Sequence, residues 1–157
     1  MITPHPQPLD PGLETQLNGL LCAQGLAVLS TQGGGQPYSS LVAFASTPGL
    51  DCLLFATTRG TRKFSNLSGE PRVSLLIDSR SNQESDFHEA VAATAVGRAE
   101  EVSVTDRAAL APIYLAKHPY LEDFLGGADC ALIRVRVDNY WVVQQFQEVR
   151  VLSPRSR

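Results

Sequence analysis

Three short runs in this chain carry apolar residues on both of their alternating faces: LVAFA at residues 41–45, LLFA at residues 53–56 and VSLLI at residues 73–77. A strand with one face in water alternates more cleanly, because successive side chains point to opposite faces. These runs therefore predict strands that are buried on both sides. Such strands suit a β-barrel whose outer wall is covered by helices or by another subunit.

The remaining elements follow from residue spacing and turn signals. Leucines recur at helical spacing from residue 13 to residue 21, which predicts a helix over residues 11–24 with Asp10 as its N-cap. A second helix is predicted over residues 106–117, capped by Thr105, with a short helical or irregular bridge after it. Strands are predicted at residues 26–31, 37–46, 51–57 and 72–78, within 89–104, and once or twice within 129–151.

Length and charge limit the function classes. A chain of 157 residues fits one domain, which we expect at residues 10–152 between a flexible proline-rich arm at 1–9 and a tail at 153–157. A net charge of −3 disfavours general nucleic-acid binding. No signal peptide or membrane-length apolar run is present, and the three scattered cysteines indicate reduced thiols. We therefore expect a cytoplasmic protein without a metal site.

The stretch at residues 56–67, ATTRGTRKFSNL, concentrates positive charge in an acidic chain. It follows a predicted strand, begins a short helix and has no acidic residue. Its cations are Arg59, Arg62 and Lys63, and its hydroxyls are those of Thr57, Thr58 and Thr61. Arginine and lysine beside outward backbone N–H groups suit a phosphate monoester. The sequence therefore predicts a phosphate site here, although a solvated basic loop has the same appearance.

Two other features have ordinary interpretations. The glycines at residues 33–35 lack the downstream helix of a nucleotide-binding motif and predict a hairpin turn. Gly97 is expected at a bend in its strand. His88 and His118 show no metal-ligand spacing and are expected to be surface or capping residues, with haem ligation or proton transfer as the alternative.

Three blocks carry a resemblance to a known family. They are GQPYSSLVAFA, LLFATTRGTRKFSNLSGEPRVSLLID and AVGRAEEV, in that order, within a match from about residue 20 to residue 151. The chain resembles the pyridoxamine 5′-phosphate oxidase-like flavin-binding proteins. This resemblance implies a mainly β fold with α elements, a six-stranded antiparallel split β-barrel with flanking helices. It also implies a homodimer with FMN in the groove between subunits.

The resemblance also implies a set of cofactor-binding residues. The basic pair that grips the flavin phosphate in the family falls at Arg62 and Lys63, which agrees with the phosphate site inferred from charge. The preceding strands would supply contacts to the ring and ribityl chain, with Thr58 and Thr61 adding hydroxyls near the phosphate. These contacts fall at Ser40, Leu41, Val42, Ala43, Ala56 and Thr57.

The chain departs from the oxidase itself. The oxidase has an arginine where this chain has Ser40 and a lysine where it has Ala45. Its flavin-contacting glutamine falls near Ala92, and its C-terminal arginine–histidine pair has no counterpart after Phe146. We therefore do not expect oxidation of pyridoxine phosphate, although the flavin site is retained.

Several hypotheses stay open at this stage. The first is an FMN-dependent oxidoreductase whose substrate the sequence does not identify. The second is a flavin- or haem-binding protein without turnover, and a deazaflavin is a third possible ligand. Tyr140, Trp141 and Phe146 are candidates either for the flavin pocket or for the core.

Overall fold

The structure is a computed structural model that describes residues 10–145 and 148–154. The predicted arm at 1–9 and Phe146 lie outside the described residues. The helices are α1 (Pro11–Ala23), α2 (Arg62–Gly69), α3 (Asp86–Glu89), α4 (Val104–Lys117) and α5 (Glu122–Leu125), with a 3-10 turn at Pro119–Leu121. The strands are β1 (Leu26–Gly33), β2 (Gln36–Ser46), β3 (Cys52–Thr58), β4 (Arg72–Asp78), β5 (Val91–Glu101), β6 (Cys130–Gln144) and β7 (Glu148–Leu152).

Six strands close into an antiparallel barrel. The order along the sheet is β3-β2-β1-β4-β5-β6-β7, and β3 also pairs with β6, which closes the ring. β7 lies outside the ring and pairs with the last residues of β6. The predicted six-stranded barrel with flanking helices is therefore confirmed.

The barrel is split where β2 and β3 diverge. These strands pair only from Phe44 to Ser46, opposite Leu53 to Phe55, whereas β1 pairs with β2 along its whole length. Within the described residues, no strand pairs with residues 36–43 of β2 on the side away from β1. We call this unpaired stretch of β2, facing the end of β3, the gap.

Helices cover the ends of the barrel. Leucines of α1 enter the main core, and Asp10 caps this helix through a hydrogen bond from the Gly12 N–H to its Oδ1 at 2.9 Å, as predicted. Leu67 of α2 also enters that core. Tyr140 lies inside the barrel and donates a hydrogen bond from its hydroxyl to the Leu50 carbonyl at 2.8 Å.

A second apolar cluster lies outside the barrel, under α4. Its members are Ala45, Leu54, Val102, Tyr114, Leu125, Cys130 and Leu132. We call the outer face of β3 and the start of β6, which this cluster covers, the covered wall. Ser103, and not Thr105, caps α4, because the helix begins at Val104 and the Ser103 Oγ accepts a hydrogen bond from the Asp106 N–H at 3.1 Å. The predicted Thr105 cap is therefore wrong.

The opposite outer face has no such cover from the part of the chain that the structure describes. Leu41 of β2, Val28 of β1 and Leu76 of β4 are register neighbours on it. Leu26 and Leu41 are 58% and 66% exposed. We call the outer face of β1, β2 and β4 the open wall.

A bulge separates two halves of the β5–β6 ladder. Val96 pairs with Asn139, whereas Gly97 pairs with Val137, so Asp138 is an extra residue in β6. A Cβ at residue 97 would lie 2.0 Å from the Arg136 carbonyl oxygen, so only glycine fits. The predicted bend at Gly97 is confirmed. The hairpin between β1 and β2 turns at Gly34 and Gly35, which both have positive φ.

Across the described residues, every helix is too short or too polar to span a bilayer.

Candidate functional site

The predicted phosphate site lies at the first turn of α2. Thr61 caps the helix, and its Oγ1 accepts a hydrogen bond from the Phe64 N–H at 3.3 Å and donates one to the Thr58 carbonyl at 3.0 Å. The N–H groups of a helix's first turn have no acceptor within the helix. Arg62 and Lys63 therefore lie where backbone dipoles and side-chain charges both favour an anion.

The three predicted cations have different environments. Arg59 forms a salt bridge with Glu101 and donates to the Ala128 carbonyl at 3.2 Å, and the hydrogen bond to Glu101 raises the pKa of its guanidinium. Among the residues that the structure describes, Arg62 and Lys63 have no salt-bridge partner. The cluster of three that the sequence indicates is thus a pair of uncompensated cations beside a neutralised one.

The predicted threonines lie together at the end of β3. The Thr57 and Thr61 hydroxyl oxygens are 2.9 Å apart, and either can donate to the other. Thr57 is buried, while Thr58 and Thr61 are half-buried. This hydroxyl pair joins the end of β3 to the N-cap residue of α2.

The four predicted positions on β2 alternate between the two faces of the strand. Val42 is buried in the barrel core, so only its main chain is available to a ligand. Leu41 and Ala43 point to the open wall. Ser40 points inward, and its Oγ is buried without a hydrogen-bond partner in the described part of the chain.

Ala56, the remaining predicted contact, packs against the cluster under α4. Its side chain is therefore directed away from the gap, and only its main chain is available there.

The vertex of the gap is fastened by α4. The His118 Nε2 donates to the Phe44 carbonyl at 2.8 Å, and the Lys117 ammonium lies 3.9 Å from the centre of the Phe44 ring. Lys117 also donates to the Leu21 carbonyl at 2.7 Å, and burial lowers its pKa. Phe44 is the residue at which β2 begins to pair with β3. These contacts therefore attach the end of α4 to β2 and α1 at the point where the split ends.

The other candidate residues have mixed outcomes. His118 caps α4, as expected, but it is buried, and its second ring nitrogen is 3.3 Å from the Tyr120 hydroxyl. Both nitrogens are therefore engaged. His88 is exposed on α3, and Tyr140 is a core residue. Trp141 is half-buried, and in the described ranges no group of acidic, histidine and cysteine residues has metal-binding geometry.

The open wall also borders a cavity of about 730 Å³ between Leu76, Ala92 and the Phe87 segment. This volume lies in the range of small-molecule sites, roughly 300–1,000 Å³. It contains Ala92, the position at which the resemblance places a flavin-contacting glutamine of the oxidase. The cavity thus lies beside β4 and β5, with charged and polar residues of the segment 78–86 along its rim.

Sequence reasoning missed the residues that hold α2 against the β1–β2 hairpin. Asn66 of α2 donates from Nδ2 to the Thr31 Oγ1 at 3.1 Å, and Arg62 lies over the Tyr38 ring, 5.1 Å from its centre. These contacts join positions far apart in the sequence, and no local pattern indicates them.

The closed barrel, its gap and the cationic corner define a split β-barrel protein. A family model described as pyridoxamine 5′-phosphate oxidase matches residues 13–146. The chain therefore belongs to the pyridoxamine 5′-phosphate oxidase family, as the resemblance implies. A search of curated proteins gives no match.

Solved structures share the fold at low identity. A haem-binding protein from Mycobacterium smegmatis has a TM-score of 0.75 at 19% identity, over 85% of this chain and 55% of that protein. A FAD-binding protein from Mesorhizobium loti has a TM-score of 0.66 at 17% identity, covering 82% and 90%. A protein from Clostridium acetobutylicum related to general stress protein 26 has a TM-score of 0.70 at 16% identity, covering 92% and 96%.

Proposed function

We propose that this protein binds FMN along the gap, with the phosphate held by Arg62 and Lys63, and that it acts as an FMN-dependent oxidoreductase. The observation that carries the proposal is the pair of cations at the first turn of α2, which have no acidic partner among the described residues. Arg59 is three positions away from Arg62 and has its own carboxylate. Of the three cations in this loop, two therefore remain without a carboxylate, and these two are adjacent at the start of α2. Adjacent unpaired cations suit the binding of an anion.

The groups along β2 fit the rest of the cofactor. The buried Ser40 Oγ has no partner within the described residues, and a buried hydroxyl in this state costs about 1–3 kcal/mol unless a ligand satisfies it. The unpaired edge of residues 36–43 offers backbone donors and acceptors to a heteroaromatic ring. Leu41 and Ala43 add apolar contact on the outer side.

A second copy of the chain is the proposed cover of the open wall. Large exposed apolar side chains grouped on one face are typical of an interaction surface, and Leu26 and Leu41 lie on adjacent strands. A homodimer would bury them and would place the gap, which shares Leu41, next to the subunit boundary. The flavin would then lie between the two subunits.

Bound FMN supplies the electron chemistry, since flavins transfer hydrides and single electrons. The residues of this chain bind the phosphate, orient the ring along β2 and exclude water from its inner side. Ser40 and Ala45 are uncharged where the oxidase has an arginine and a lysine. These two positions therefore lack the charges that hold a second phosphate in the oxidase, which argues against a vitamin phosphate as substrate.

Substitution of the basic pair tests the proposal. Arg62→Ala and Lys63→Ala should each weaken FMN binding by about 1.5–3 kcal/mol, since each removes charge-assisted hydrogen bonds. Binding is measured by quenching of flavin fluorescence, with circular dichroism to verify folding. Arg59→Ala is the matched control, because its guanidinium is already paired, and it should change the affinity by no more than about threefold. Unchanged affinity in the Arg62→Ala, Lys63→Ala double variant would remove the phosphate site.

A binding protein without turnover is the alternative, in which the ligand is flavin or haem. The likeness in fold to a haem-binding protein favours this alternative. Against it, both ring nitrogens of His118 have hydrogen-bond partners, so this side chain is not free to ligate haem iron. The purified protein distinguishes the two. A yellow flavin spectrum bleached by NADH or NADPH supports the oxidoreductase, and a Soret band on haem addition without flavin uptake supports the alternative.

A further inference from the structure

We infer that Tyr38 is a positioning residue for the phosphate site, and that it contributes to selection of a phosphorylated flavin over an unphosphorylated one. This inference rests on the proposed function, because it concerns how Arg62 is presented to the ligand. The inference is carried by a set of contacts between α2 and the β1–β2 hairpin.

The first contact is a cation–π interaction between Arg62 and Tyr38. The guanidinium carbon lies 5.1 Å from the centre of the ring, within the range of such an interaction. A carboxylate partner would neutralise the guanidinium and would occupy the N–H edge that binds phosphate in a bidentate manner. An aromatic ring carries no net charge, so Tyr38 restrains the side chain of Arg62 without neutralising it.

The second set of contacts closes a loop around this pair. The Thr31 Oγ1 donates a hydrogen bond to the Tyr38 carbonyl at 3.5 Å and accepts one from the Asn66 Nδ2 at 3.1 Å. Asn66 lies one helical turn after Arg62 in α2. The helix is thus tied to the hairpin at two points, one at its first residue and one a turn later.

The close approach of the hairpin supports the same interpretation. A Cβ at residue 33 would lie 2.4 Å from the Asn66 Oδ1, so glycine at this position lets the amide reach Thr31. Thr31 is itself buried, only 4% exposed, so its hydroxyl has a fixed environment. The orientation of α2, and with it the direction of Arg62, depends on residues that do not contact the phosphate.

The test compares FMN with riboflavin, which lacks only the phosphate. Apo-protein is titrated with each flavin by fluorescence quenching, for the wild type, Tyr38→Leu and Tyr38→Phe. Tyr38→Leu should weaken FMN binding about two- to fivefold, a loss that corresponds to an exposed cation–π contact. It should leave riboflavin binding unchanged. Tyr38→Phe keeps the ring and should behave as the wild type. In an Arg62→Ala background, Tyr38→Leu should have no further effect on FMN.

A second variant keeps the inference testable if Tyr38→Leu folds poorly. Thr31→Val removes the hydroxyl that joins Tyr38 to Asn66 and preserves the shape of the side chain. It should also lower FMN affinity relative to riboflavin affinity. An equal loss for both flavins in either variant would mean that these residues only support folding, and would overturn the inference. If the wild type itself showed no preference for FMN over riboflavin, the proposed phosphate site would fail.

Discussion

Leu54 of β3 and Leu41 of β2 both lie within apolar runs on the outer face of the same barrel, yet their surroundings are opposite. Leu54 is fully buried under α4, where Tyr114 and Leu132 join it in one cluster. Leu41 is 66% exposed, and its register partner on the neighbouring strand is Val28. An apolar outer face therefore indicates that a strand is buried against another element. In the described residues, α4 is that element for the covered wall, whereas Leu41 on the open wall stays exposed.

The contrast indicates a division of roles. The covered wall is buried by residues of the same chain, so we expect its side chains to contribute to the stability of the fold. The open wall is the surface that we propose a second copy of the chain covers. Leu41 on this wall belongs to the gap, and Leu76 on it lines the cavity. We therefore expect substitutions on the two walls to separate stability from association.

The largest effect is expected from aspartate at the two leucines. Leu54→Asp places an unpaired charge where water is excluded, at a cost of several kcal/mol, which is comparable with the whole stability of a typical domain. This variant should be unfolded by circular dichroism. Leu41→Asp should remain folded and elute as a monomer in size-exclusion chromatography with light scattering. Equal unfolding by both variants would break the distinction between the walls.

The next effect concerns the burial of Tyr114 in the covered wall. Burial raises the pKa of Tyr114 to about 12. The unfolded chain releases this proton near pH 10, whereas the folded chain keeps it until about pH 12, so stability falls as the pH rises across that window. The loss should approach about 3 kcal/mol. Tyr114→Phe should abolish it, measured as the difference from wild type in urea unfolding between pH 9 and roughly pH 12. An identical pH slope in both proteins would mean that α4 opens readily.

The smallest effect concerns the bulge between the two halves of the β5–β6 ladder. Gly97→Ala should destabilise the fold by about 1–3 kcal/mol, because its Cβ meets backbone that cannot move aside. Gly19→Ala is the matched control, since Gly19 lies in α1 with no atom within 4 Å of an added Cβ. That change should stabilise the protein by about 0.5–1 kcal/mol. Both are measured by thermal and urea unfolding, and a neutral Gly97→Ala would remove the bulge as a constraint.

Much of the fold was predictable because its signals are local. The strand predicted at residues 72–78 has those bounds in the structure, and the helix predicted at 11–24 ends one residue earlier, at Ala23. The basic pair at Arg62 and Lys63 was visible from charge alone, since no acidic residue lies nearby in the sequence. Local patterns sufficed wherever spacing, caps and turns decide the structure.

What could not be predicted depends on contacts between distant positions. Arg59 looks equivalent to Arg62 in the sequence, but Glu101, 42 positions away, neutralises it. His118 was expected to be a surface or capping residue; it caps α4 but is buried, and its Nε2 donates a hydrogen bond to the Phe44 carbonyl of β2. The choice of Ser103 over Thr105 as the α4 cap was ambiguous locally, because both residue types cap helices well.

The split in the barrel has a consequence beyond the site itself. An unpaired β edge is a template onto which a foreign strand adds, and natural proteins protect such edges to avoid aggregation. Residues 36–43 of β2 form such an edge, with no Lys or Arg along it and one proline near its start. The FMN that we propose for the gap would also shield this edge from uncontrolled self-assembly, so we expect the apo-protein to aggregate more readily than the flavin-bound protein.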